Sequence, residues 1–173
     1  MTGIGEALVG HLEANPAHWP FEPCEGLKRI ATHSAWVLLS EHLALKIKKP
    51  VNFGFLDFST LSRRRVCCEE ELRLNGRFAP DLYKGVVAFR QASGGFEIVD
   101  DPEDGDEFAV LMARFPRGAQ LDERLAQGAL PLEALRAFGA HWAARQADFE
   151  RAPEGGPWGT VDAVQKPVAA NFF

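Results

Sequence analysis

Leu43-Ala44-Leu45-Lys46-Ile47-Lys48-Lys49 is a short apolar run that carries its lysines toward one end and is closed by Pro50. Proline brings no amide hydrogen to a sheet ladder, so the run reads as a strand that stops there. Two similar runs precede it, residues 27–31 and 35–39, set apart by the polar breaks Thr32-His33-Ser34 and Ser40-Glu41-His42. Short apolar runs with polar breaks between them predict three antiparallel strands. Side chains alternate along a strand, so Ala44 and Lys46 fall on one face.

Outward from this sheet, Ile4, Leu8, Val9 and Leu12 have helical spacing and predict a helix over residues 4–14, ended by Asn15-Pro16. Residues 18–24 contain Pro20 and Pro23 and read as a loop. Beyond Pro50 lies a loop with Phe53, Phe55 and Phe58; Ser59 or Thr60 then offers an N-cap for a helix to about Arg77, with Pro80 beyond it. Residues 82–91 and 96–100 form a predicted hairpin around Gly94-Gly95. The acidic stretch 100–107 reads as an exposed loop, and residues 108–115 as an apolar strand ended by Pro116. Residues 121–126, 132–149 and the last dozen read as helices, with a loop beginning at Gly155-Gly156-Pro157. Strands first and helices later predict an α+β fold.

Composition narrows the function classes. Hydrophobic residues make up 46% and charged residues 25% of the 173, enough apolar material for a packed core. A net charge of −5 argues against a general nucleic-acid binder, which carries a basic surplus. Three cysteines, Cys24, Cys67 and Cys68, with two adjacent, make a poor disulfide framework and suit a reducing cytosol. No secretory leader pattern and no apolar run of about 18 residues is present, so the expectation is a cytoplasmic protein with no membrane partner.

The chemistry centres on Ala44 and Lys46. A small residue lets a flat ring lie against the strand, and a lysine two positions on can reach phosphate oxygens. The following helix carries Glu69, Glu70 and Glu71. With Leu61, Cys68 and Leu72 taken as its buried stripe, Glu69 and Glu71 lie on opposite flanks and Glu70 points away. Glu69 is the first choice as partner of Lys46, and Glu71 the second. The three glutamates also suit a solvated face, with Arg65 one turn before Glu69. Thr32-His33-Ser34 can offer backbone N–H groups and two hydroxyls to phosphates, or be an ordinary hairpin turn. The 108–115 strand resembles the strand that leads to a kinase's interlobe hinge, which implies Met112 at the back of an adenine pocket and backbone groups of Arg114 and Phe115 at the adenine edge; on local grounds these are plain core residues.

Leu43-Ala44-Leu45-Lys46 resembles the strand signature Val-Ala-Ile-Lys of kinases. The longer runs Thr32 to Leu39, Leu45 to Leu61 (Lys46-Ile47-Lys48-Lys49-Pro50-Val51, then Phe53-Gly54-Phe55-Leu56-Asp57-Phe58-Ser59-Thr60-Leu61), Cys68 to Asn75 and Ala79 to Tyr83 are similar to bacterial aminoglycoside-phosphotransferase-like proteins, which often carry a second P-loop ATPase domain. The likeness covers about Ile30 to Phe172. It implies a kinase-like N-terminal lobe over residues 1–116 and the first helices of an incomplete C-terminal lobe over 117–173. It further implies ATP as the nucleotide and Lys46 as the phosphate-binding lysine, with a helix glutamate beside it. Family members have a later His-Gly-Asp-type loop and a Mg²⁺-holding Asp. No histidine here is followed by Gly-Asp, and no Walker A run occurs. The expectation is therefore a chain cut short before the catalytic loop, with no catalytic residue or metal ligand of its own. Its phosphate acceptor is not legible, and self-association through the incomplete lobe is expected. The alternative is a pseudokinase-like interaction module without phosphotransfer.

Overall fold

The computed structural model describes residues 3–116 and 118–170. It divides into two compact units, Met1–Gln120 and Leu121–Phe173.

In the first unit, helix α1 (Ile4–Ala14) precedes strands β1 (Lys28–Ala31), β2 (Ala35–Leu39) and β3 (Leu43–Lys48). Helix α2 (Leu61–Asn75) follows, then β4 (Tyr83–Ala92), β5 (Gly95–Val99) and β6 (Glu107–Ala113). The six strands form one antiparallel sheet in the order β1-β2-β3-β6-β4-β5. The last strand in sequence thus enters the middle, beside β3. Helices and antiparallel sheet together make this an α+β protein.

The sheet is covered on both faces, by different means. On the α1 face, Leu8, Val9 and Leu12 of the helix meet Trp19, Leu38, Leu45, Ile47, Phe89 and Ala109 in one buried cluster. Full burial of a Leu- or Phe-sized side chain contributes roughly 2 kcal/mol, so this face holds most of the apolar stabilisation. The α2 face buries only Cys68, Ala88, Phe108 and Val110 in its cluster. The residues of α2 that are buried are Arg64 and Cys68. A helix with so little apolar contact needs other ties to the sheet, and ion pairs supply them.

One of those ties corrects an expectation. The stretch 100–107 is not exposed throughout: after a 3-10 turn at Pro102–Asp104 the chain dives inward, and Glu107 is 1% exposed. Its Oε1 accepts from Arg64 Nε at 2.8 Å and from its neighbour's amide, Phe108 N, at 3.0 Å. Arg64 also donates to the carbonyl of Phe58 at 3.1 Å. Gly5 of α1 makes room on the other side, since a Cβ there would sit 2.9 Å from Glu107 Oε2. A buried charge needs a partner and further hydrogen bonds, and Glu107 has both.

Local signals set the element ends. Thr60 caps α2, its hydroxyl accepting from Arg63 N. Gly95 opens β5 with φ +135°, and the His11 ring lies 2.0 Å from where a Cβ would be, so α1 can approach the hairpin only over a glycine. β6 stops at Ala113, leaving Arg114 and Phe115 outside the expected strand. The second unit contains α3 (Leu121–Ala126), α4 (Leu132–Ala147) and α5 (Val161–Ala170). Many of its large apolar side chains are exposed, among them Phe138, Trp158 and Val161. Among the described residues, no helix is long and apolar enough to cross a membrane.

Candidate functional site

Leu45 and Ile47 of β3 belong to the α1-side core, so alternation sends Ala44, Lys46 and Lys48 to the α2 face. There both lysines meet one carboxylate. Lys46 Nζ donates to Glu71 Oε1 at 2.8 Å, and Lys48 Nζ donates to Glu71 Oε2 at 2.7 Å. The Lys48 side chain is 4% exposed and that of Glu71 11%, whereas Lys46 keeps 32%. Lys48 Nζ also lies 4.8 Å from the centre of the Phe58 ring, a cation–π contact. Burial pushes the Glu71 carboxyl up, but the hydrogen bonds and charges of Lys46 and Lys48 outweigh it and hold the group below its ordinary value. Glu71 is therefore an anion locked between two cations, one buried and one reaching the surface.

The helix partner of Lys46 is Glu71, the second choice on sequence grounds, and not Glu69, the first. Glu69 turns to Arg65, with Nε to Oε1 at 3.0 Å, one turn apart on the exposed side of α2. Arg64 explains the difference. Because its guanidinium is drawn in by Glu107, Arg64 joins Cys68 on the buried face and turns the helix toward the flank that carries Glu71. At about 100° per residue, Arg64, Cys68 and Glu71 then follow one line.

Ala44 is 6% exposed and sits in register with Met112 of β6, while Val37 of β2 is in register with Lys46. Met112 is half-buried and packs against the α2-side cluster. The chain beyond β6 is tied to the β2–β3 turn. Arg114 N donates to His42 O at 2.7 Å, and its guanidinium donates to Ser40 O. The Arg114 N–H is thus not free for a ligand, contrary to its expected share in an adenine edge. Phe115 is 54% exposed and lines a cavity of about 360 Å³ with Glu41, His42, Arg114 and Pro116.

Thr32-His33-Ser34 is the β1–β2 turn. Thr32 Oγ1 accepts from Ala35 N at 3.0 Å and donates to Ala35 O at 3.2 Å, so its hydroxyl closes the turn instead of facing a ligand. Lys49 clamps the same turn, its Nζ donating to Thr32 O at 2.5 Å and its N–H to Ser34 O at 2.8 Å. His33 and Ser34 border a cavity of about 510 Å³ with Phe53, Phe55 and Leu56.

Two participants, Lys48 and Glu22, lie outside the residues that the sequence singles out. Lys48 was legible in principle, since it stands two residues beyond Lys46 on the same strand face. Glu22 was not: it reaches from the Pro-flanked loop to take the hydroxyl of Ser40 and, at 3.1 Å, the N–H of His42. The Ser40 hydrogen bond is the main cause that holds its carboxyl below its usual value. Cys68, beneath the site, is driven the other way by burial, to about 12, and is an inert core thiol. Among the described residues, no cluster of three or more His, Cys, Asp or Glu could hold a metal ion.

Known proteins add a little. No family model and no solved structure matches the chain. Uncharacterized proteins of Mycobacterium tuberculosis and Mycobacterium bovis are 35% identical to it over 102 residues. That match covers 59% of this chain and 18% of the length of each relative. The matched stretch is thus a minor part of each of these longer bacterial proteins.

Proposed function

We propose that the chain is the ATP-binding part of a kinase-like small-molecule phosphotransferase, with Lys46 as the residue that meets the nucleotide's phosphates. The observation that carries this is the partly exposed lysine on β3 paired to a helix glutamate, Lys46 to Glu71 at 2.8 Å. A lysine ammonium has three donors, and only one of them is engaged here by Glu71, so two remain for phosphate oxygens. Ala44 keeps the neighbouring strand surface low enough for a flat ring, and Met112 stands beside it across the ladder. The carbonyl of Arg114 and the N–H of Phe115 would meet the ring's edge. His33 and Ser34 supply the polar turn over the phosphates.

In phosphoryl transfer the protein contributes position and charge. Lys46 and the turn would provide part of both. The acceptor-orienting and Mg²⁺-holding aspartates of the resembled family are not in this sequence, which has no His-Gly-Asp run. Nucleotide binding without turnover is the expected behaviour of these 173 residues.

Thermal unfolding with and without Mg-ATP tests the site. A ligand at about 100 times its Kd adds ~2.7 kcal/mol, a shift of several degrees for a domain of this size. Wild-type protein should shift and Lys46→Met should not, and neither should hydrolyse ATP. An equal shift in both would remove Lys46 from the site.

A second reading has one observation in its favour. The exposed Phe138, Trp158, Val161 and Val164 of the Leu121–Phe173 unit suit a module that binds another protein surface. In that case Mg-ATP produces no shift even in the wild type.

A further inference from the structure

Lys46, Lys48 and Glu71 bring two positive charges to one negative charge, and the surplus is not shared evenly. Lys48 is the buried member, enclosed between the Phe58 ring and Glu71 Oε2. Lys46 is the member with an open side. Glu71 has little freedom to leave, because the buried Arg64–Glu107 pair fixes the first turns of the same helix to β6. If Glu71 faced Lys46 alone, a carboxylate 2.8 Å away would cancel most of the charge that an incoming phosphate feels.

We infer that Lys48 is a charge-balancing residue: it neutralises Glu71 from the buried side, so that Lys46 presents an unspent positive charge to a nucleoside di- or triphosphate. This rests on the nucleotide site proposed above and deepens it. A lysine that never touches the ligand then sets the ligand's affinity, and does so for phosphates only. Adenosine, which carries no phosphate, is indifferent to it. Lys48 is thus a positioning and electrostatic residue, not a catalytic one.

Competition against a fluorescent ATP analogue gives Kd for ATP and for adenosine in four proteins: wild type, Lys46→Met, Lys48→Met and the double variant Lys48→Met/Glu71→Gln. Lys48→Met is expected to weaken ATP about tenfold, because the local charge falls from +1 to zero, with adenosine unchanged. The double variant removes one charge of each sign and restores the surplus, so its ATP affinity should return to within about threefold of the wild type. Lys48→Met that weakens ATP and adenosine alike, or a double variant that stays weak, overturns the inference and leaves Lys48 a packing residue. If Lys48→Met does not fold, the double variant is compared with a fifth protein, Glu71→Gln alone, in which the local charge rises to +2. ATP bound about tenfold more weakly by the double variant than by Glu71→Gln, with adenosine unchanged, then supports charge balancing, and equal ATP affinity in the two overturns it. Should Lys46→Met bind ATP normally, the nucleotide site at Lys46 fails, which is a separate outcome from these.

Discussion

Arg64→Ala should destabilise the protein by about 3–5 kcal/mol, read as a lower urea midpoint at an unchanged slope. The substitution removes the guanidinium that sits 2.8 Å from Glu107 and leaves a carboxylate only 1% exposed with no counter-charge. It also leaves the Phe58 carbonyl without its 3.1 Å donor. The apolar contact between α2 and the sheet is too small to compensate, since Cys68 is the only buried apolar side chain of that helix. Replacing both partners by apolar residues of similar volume, Arg64→Met with Glu107→Leu, removes the charges together and should recover most of the loss. A single variant within about 1 kcal/mol of wild type would mean that packing, and not this ion pair, docks α2.

Glu71→Leu is expected to cost a similar ~3–5 kcal/mol, for the mirror-image reason: it leaves Lys48 buried without an anion. The same carboxylate gives this loss a pH dependence. Burial raises its pKa, but the two lysines outweigh burial and set the folded-state value below the ordinary one. A carboxylate depressed on folding contributes stability that is complete above its unfolded pKa and is lost as pH falls through the folded pKa. The stability gap between wild type and Glu71→Leu should therefore be full at pH 6–7 and narrow steadily as pH falls below the ordinary carboxylate range toward the lowered folded-state value. A gap that stays constant down to pH 3 would show that the two lysines do not act through this group's charge.

Much of the fold is legible in the sequence because its boundaries are written in short-range chemistry. Pro50, Gly94-Gly95 and Thr60 act on their own backbone neighbourhood, and the strands and α2 begin or end beside them. The antiparallel order of β1, β2 and β3 follows from turns too short for any crossover. The face of α2 was not legible in the same way. Its apolar residues, Leu61, Cys68 and Leu72, place the buried line midway between Glu69 and Glu71. The choice is made by Arg64, which counts as polar until its partner Glu107, 43 positions away, is known. Glu107 in turn closes an acidic stretch in which nothing local separates it from its exposed neighbours. Arg114 follows the same pattern: its backbone N–H goes to His42, a contact that exists only once β3 and β6 are paired. Side chains fixed by their own strand or turn could be read. Those fixed by an opposite charge far along the chain could not.

Covalent labelling tests the role of Lys46 most directly. An adenosine that carries a sulfonyl fluoride near the position of the outer phosphates reacts with an amine held beside a bound nucleotide, and peptide mapping by mass spectrometry identifies which amine. Modification concentrated at Lys46 and suppressed by excess ATP is the predicted result, with Lys48 shielded by burial. Label scattered over the surface lysines, or label at Lys46 that ATP does not suppress, would contradict a nucleotide site at that residue.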